Sequence, residues 1–135
     1  MRKKKAAQDN YILSYYQQIK DGSVTVGRWI RLIYEYLVNG LAKKEFFFDQ
    51  KKANAAVDWL ETHCFHTEGP LAPGPFKLTD WQKAIVSAIF GIIDENGNRQ
   101  FREVLLVVAR KNGKSLFASA IARYIWKEEG FGTRV

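Results

Sequence analysis

Apolar residues recur at helical spacing in several stretches of the chain. Over 10–21 they are Tyr11, Ile12, Tyr15, Tyr16 and Ile19, with Gly22 as the stop. Thr25 is the candidate cap of a second helix. Its stripe of Val26, Trp29, Ile30, Ile33, Tyr34, Leu37, Val38 and Leu41 is the cleanest amphipathic pattern in the sequence. The other face, with Arg28, Arg31 and Glu35, is mixed in charge. Phe46-Phe47-Phe48 reads equally as a short strand or a core plug. A third helix is predicted over 50–64, with Ala53, Ala56, Val57 and Leu60 inward.

Residues 69–75, Gly-Pro-Leu-Ala-Pro-Gly-Pro, hold all three prolines of the chain. Proline fixes its own φ and restricts the residue before it, so this stretch is extended or turning. It divides a helical region with a basic tail (1–68) from a second part (76–135). Thr79 or Asp80 then caps a helix with Trp81, Ala84, Ile85, Ala88, Ile89 and Ile92 on its apolar face. From this pattern alone, Gln82 is an exposed residue of the first turn. Asp94-Glu95-Asn96-Gly97-Asn98 is a turn. Glu103 to Ala109 is apolar on successive positions, which predicts a strand buried on both faces. A last helix starts near Gly113, runs to about Glu128, and ends at Gly130 and Gly132.

Composition narrows the function classes. With 135 residues, 47% of them hydrophobic, the chain has the size and core of an ordinary domain and is not a disordered polymer. The single cysteine, Cys64, excludes an internal disulfide. The basic start is followed by polar residues instead of an apolar signal segment, and the run from Val104 to Ala109 is too short for a bilayer. A soluble, intracellular protein is the expectation. The net charge of +7 permits salt-sensitive contact with a polyanion. Arg2, Lys3, Lys4 and Lys5 read as a solvated tail. His63, Cys64 and His66 stand too close together for a zinc pair, and no second ligand pair accompanies them.

The chemistry concentrates at Ala109-Arg110-Lys111-Asn112-Gly113-Lys114-Ser115, where a strand runs through a polar loop into a helix. A helix N-terminus offers free N–H groups and a positive dipole end to phosphate. Asn112 and Gly113 belong to the cradle, and Gly113 admits phosphate without a Cβ clash. Lys114 reaches the β- and γ-phosphates, and Ser115 offers its hydroxyl to Mg²⁺. Val108 stands where the standard G-x-x-x-x-G-K-[ST] pattern has its first glycine. Taken alone, Gly-Lys-Ser is equally a capped helix start with a solvated lysine. Arg110 is either a loop charge or a guanidinium placed to stabilise transition-state charge on the γ-phosphate.

Val108 to Ser115 resembles the variant phosphate loop of the large terminase subunits of tailed bacteriophages, in which the first glycine is commonly absent and an arginine stands inside the loop. Phe76-Lys77-Leu78-Thr79-Asp80-Trp81-Gln82 resembles the segment that precedes that loop, and Phe101-Arg102-Glu103-Val104 is similar to its approach to the strand. The likeness covers about 76–135 and is looser over 10–75.

The resemblance implies an α/β chain: an N-terminal helical region, then the first strand–loop–helix unit of a P-loop NTPase fold, truncated before its later strands. It implies an ATPase that binds ATP and Mg²⁺ to drive double-stranded DNA into a procapsid. Arg110 and Lys114 act on the phosphates, Ser115 on Mg²⁺, and Gln82 on adenine. Implied partners are the portal protein, the small terminase subunit and sibling copies in a ring, in the cytoplasm of the bacterial host, with no membrane. The acidic pair needed for hydrolysis and a C-terminal nuclease domain would follow further along, so this chain is expected to be an inactive fragment. Two other readings stay open. One is a non-catalytic basic helical module with a vestigial loop, and the other is part of another nucleic-acid-dependent ATPase such as a helicase.

Overall fold

The computed structural model describes residues 10–65, 74–109 and 114–130. Among these residues five helices and two short strands follow in the order α1 (Tyr11–Asp21), α2 (Arg28–Ala42), β1 (Phe47–Phe48), α3 (Gln50–His63), α4 (Asp80–Gly91), β2 (Ile92–Ile93) and α5 (Lys114–Glu129). β1 and β2 pair antiparallel, Phe47 opposite Ile93 and Phe48 opposite Ile92. Among the described residues the chain is therefore mixed and helix-rich, compatible with α/β.

Local chemistry sets the helix ends. The Asn10 side-chain oxygen accepts from the N–H groups of Ile12 (3.1 Å) and Leu13 (3.2 Å), satisfying two donors that a helix start leaves open. Gly22 ends α1 at φ 81°, a left-handed conformation that costs glycine nothing. α2 is capped by Gly27 and not by Thr25, which lies too far upstream of Arg28 to meet its first turn. The chain leaves α2 through Lys44 at φ 58° and turns back, so that Phe46 is buried against Gly40. A Cβ on Gly40 would stand 2.3 Å from the Phe46 ring, so only glycine admits this plug. Phe46 is thus the core plug and Phe47–Phe48 the strand.

Two cores form, and each draws on segments from both sides of residues 69–75. In one, Ala56, Val57 and Leu60 of α3 meet Val86, Ile89 and Phe90 of α4 and Phe117, Ala120 and Tyr124 of α5. In the other, Ile12, Tyr15 and Ile19 of α1 meet Tyr34 and Leu37 of α2, Phe46, Ala84 and Ile92. α3 and α4 approach closely at Gly91, where a Cβ would lie 2.7 Å from that of Ala53. The inward positions predicted for α3 are all buried. Ile92, assigned from the pattern to the α4 stripe, instead begins β2.

The α2 stripe is only partly covered: Tyr34 and Leu37 are buried, whereas Trp29 is 77% exposed and Ile33 52%. α2 packs on α1, and the rest of its apolar face lines an open groove of about 630 Å³ between α2, α4 and residues 103–108. The predicted strand at 103–109 forms no strand, and its faces are not both buried: Leu105 is 89% exposed and Val107 82%. An apolar strand needs a ladder on its edges and cover on its faces. The only sheet among the described residues is already completed by β1 and β2.

Candidate phosphate-binding site

α4 begins where Thr79 precedes Asp80, and Gln82 fixes that start. Its side-chain carbonyl oxygen accepts from the Thr79 backbone N–H at 3.0 Å, the reciprocal half of a capping box. Gln82 is only 6% exposed, so the expectation of an exposed first-turn residue is corrected. The signal for this was present as Thr-x-x-Gln over 79–82. Beside it, Trp81 meets Phe117 edge to face, with ring centroids 5.8 Å apart. Phe117 is fully buried and lies in the first turn of α5. The α4 start is thereby clamped to the α5 start.

Lys114 and Ser115 open α5, and both are exposed. The first turn of this helix carries no acidic residue, so no carboxylate opposes an anion at its positive end. Leu116 and Leu106 are partly buried against the same core as Phe117, which ties both flanks of the loop to the helical body. Arg110, Lys111, Asn112 and Gly113 lie outside the described residues. What the structure brings together is therefore Gln82, through Trp81 and Phe117, with the exposed helix start that bears Lys114 and Ser115. These two residue types fit a nucleotide with its metal: an ammonium for phosphate oxygens and a hydroxyl for a hard cation.

Several other titratable groups are engaged elsewhere. Asp94 accepts from the N–H groups of Asn96 (2.8 Å) and Asn98 (3.0 Å) and so closes its own turn. Glu129 pairs with Arg99, and Glu128 with Lys127. His63 stacks on Trp59 at 4.8 Å and lies 3.1 Å from the Trp59 carbonyl through Nδ1. Burial pushes the Cys64 thiol above its ordinary range, against a smaller opposing effect of Arg123. Among the described residues no group of three His, Cys, Asp or Glu side chains could hold a metal ion. No helix among them is long and apolar enough to cross a membrane.

No curated protein and no solved structure matches the chain. Residues 80–125 do match a family model, described as terminase large subunit, ATPase domain. That stretch opens at the first residue of α4 and closes within α5. It contains every candidate site residue: Gln82, Arg110, Asn112, Gly113, Lys114 and Ser115. Over residues 80–125, about a third of the chain, the sequence is thus similar to the ATPase domain of terminase large subunits.

Proposed function

We propose that this chain contributes the nucleotide-binding start of a DNA-packaging ATPase, holding ATP through a variant phosphate loop at 109–115. The observation that carries the reading is the match over 80–125, which takes in the loop and the helix start bearing Lys114 and Ser115. In this reading Asn112, Gly113 and the α5 N-terminus cradle the phosphates by their N–H groups. The Lys114 ammonium neutralises β- and γ-phosphate charge, and Arg110 stabilises charge on the γ-phosphate. Ser115 would hold Mg²⁺, whose chemistry is to offset negative charge on bridging phosphate oxygens. Gln82 would recognise adenine through its carboxamide. In the complete assembly, hydrolysis would drive double-stranded DNA into a procapsid. The portal protein, a small terminase subunit and sibling copies would be its partners, in the host cytoplasm.

The fold implied is the first strand–loop–helix unit of a P-loop NTPase, with 103–109 as its central strand. The successive apolar residues over 103–108, outside the sheet that β1 and β2 form, support the reading, because such a strand takes its neighbours from other strands of a parallel sheet.

The test is direct binding of Mg²⁺–ATP to the chain, followed by titration of Lys114→Ala. Saturable binding that falls at least tenfold in the variant is expected, and binding that is absent or indifferent to Lys114 would favour the non-catalytic basic module.

A further inference from the structure

We infer that the outward face of α2 pairs with the α2 of a second copy of this chain, antiparallel and about a two-fold axis, with Trp29 of each copy set against Tyr36 of the other. This face is separate from the phosphate loop, and the inference does not rest on nucleotide binding. It also goes beyond a ring of sibling copies. Neighbours in a ring meet through two different surfaces, whereas a two-fold pair uses one surface twice.

α2 carries apolar residues on two sides. Tyr34 and Leu37 are buried in the core shared with α1. Trp29, Leu32, Ile33 and Tyr36 recur at the spacing of a second helix face. Trp29 is 77% exposed, Leu32 42%, Ile33 52% and Tyr36 54%. A lone exposed apolar residue is ordinary, but an adjoining set with two large aromatics marks a contact surface. Both aromatic rings are already held in place. The Arg28 guanidinium lies over the Trp29 ring at 5.7 Å, and the Tyr36 ring meets the buried Phe46 ring at 6.0 Å. Rings fixed in this way lose little freedom on docking, and tryptophan and tyrosine are common interface anchors.

Charge identifies the occupant. The polar flank of this face carries Arg28 and Glu35, two helical turns or about 10 Å apart along the axis. Both are exposed, and neither forms a salt bridge among the described residues. They are too far apart to pair within one helix. Between two antiparallel helices, each flank lies against the same flank of its partner. A register with Trp29 opposite the partner's Tyr36 brings Arg28 beside the partner's Glu35, and the symmetry repeats that pair. Parallel packing would set this flank against the other side of the face, where Val26, Ile30 and Leu37 offer no charge. Flanking charges of this kind fix partner and orientation in helix pairs. The same register sets the partner's Trp29 at the mouth of the open groove of about 630 Å³, which Ile33 and Tyr36 line and the copy's own Trp29 does not. An anionic membrane surface would repel Glu35, and a partner of one charge sign would leave Arg28 or Glu35 unmatched.

The test is sedimentation equilibrium of the 135-residue chain over a concentration series at low salt, without nucleotide. A monomer–dimer equilibrium with no larger species is expected. Trp29→Ser is expected to weaken association at least tenfold with Tm unchanged. Should that variant fail to fold by circular dichroism, Leu32→Gln on the same face takes its place. Arg28→Glu and Glu35→Arg each set like charges together at both symmetric points, and each is expected to weaken association at least fivefold. An equimolar mixture of these two variants is expected to recover most of the parent affinity, because opposite charges then meet at both points. A parent chain that stays monomeric, or that grows beyond the dimer as a head-to-tail contact would, overturns the pairing. So does association indifferent to Trp29→Ser, or a mixture no tighter than its components.

Discussion

Trp81 and Phe117 meet edge to face, 5.8 Å between centroids, and this one contact joins the start of α4 to the start of α5. Phe117 is completely buried among residues of α3, α4 and α5. Removing its ring leaves a cavity at that junction, so Phe117→Ala is expected to cost about 3–5 kcal/mol. Phe117→Leu fills part of the space and is expected to cost less. Denaturant unfolding followed by tryptophan fluorescence measures both, and a loss under 1 kcal/mol for the alanine variant would contradict the clamp described here.

Gln82 is expected to separate a structural from a recognition role. Its carbonyl oxygen holds the Thr79 N–H, so Gln82→Ala removes half of a capping box and is expected to lower stability by about 1 kcal/mol. Gln82→Glu keeps an acceptor for Thr79 and is expected to restore most of that stability. It cannot supply the amide donor that adenine N7 requires, so ATP affinity is expected to stay low in both variants. Thermal melts and ATP titrations on the same samples read the two effects. ATP affinity that recovers with stability in the glutamate variant would leave Gln82 a cap alone.

The pattern of the sequence specified elements better than it specified their surroundings. α1, α3, α4 and α5 fall where helical spacing and end signals put them, because local hydrogen bonds and a continuous apolar face decide those elements. The run at 103–109 is apolar as its sequence shows but is not covered as that pattern predicts, and the amphipathic stripe on α2 is only partly covered. Burial depends on what lies opposite, and periodicity carries no record of it. Resemblance marks Gln82 as a candidate for adenine, while the Thr-x-x-Gln spacing over 79–82 encodes its bond to Thr79. Lys114 and Ser115 stand at a helix start as the loop pattern requires. The remaining loop residues, Arg110, Asn112 and Gly113, lie outside the described residues, so their geometry adds nothing to the motif itself.

Alkaline pH is expected to destabilise the helical core through Tyr34. Burial, and to a lesser degree the neighbouring Tyr15, pushes the Tyr34 hydroxyl well above the ordinary tyrosine range. The two rings meet edge to face at 5.2 Å. A raised folded-state pKa means that the unfolded chain releases this proton first. The contribution to stability is therefore complete below about pH 10, the unfolded value, and is lost as pH climbs above it. Urea midpoints measured between pH 8 and pH 11.5 are expected to fall above about 10. Tyr34→Phe, which has no proton to lose, is expected to show a shallower fall than the parent chain, and an identical pH dependence would remove Tyr34 from this account.

Residues 103–108 give the prediction that best tests the corrected part of the fold. Leu105 and Val107 are almost wholly exposed, and no hydrogen-bonded ladder accompanies them. In this chain, therefore, neither side chain contributes to the core. Leu105→Lys and Val107→Lys are each expected to change unfolding free energy by no more than about 0.5 kcal/mol, the usual range for surface positions. The same changes interrupt an uncharged, β-prone apolar run, so concentration-dependent light scattering is expected to decrease. A central strand buried on both faces would behave in the opposite way, because a lysine there strands a charge in the core at a cost of several kcal/mol. The two outcomes differ by far more than the error of a denaturant titration. A large destabilisation by Leu105→Lys would place this segment inside a sheet already in the 135-residue chain, and the exposed course described above would be wrong.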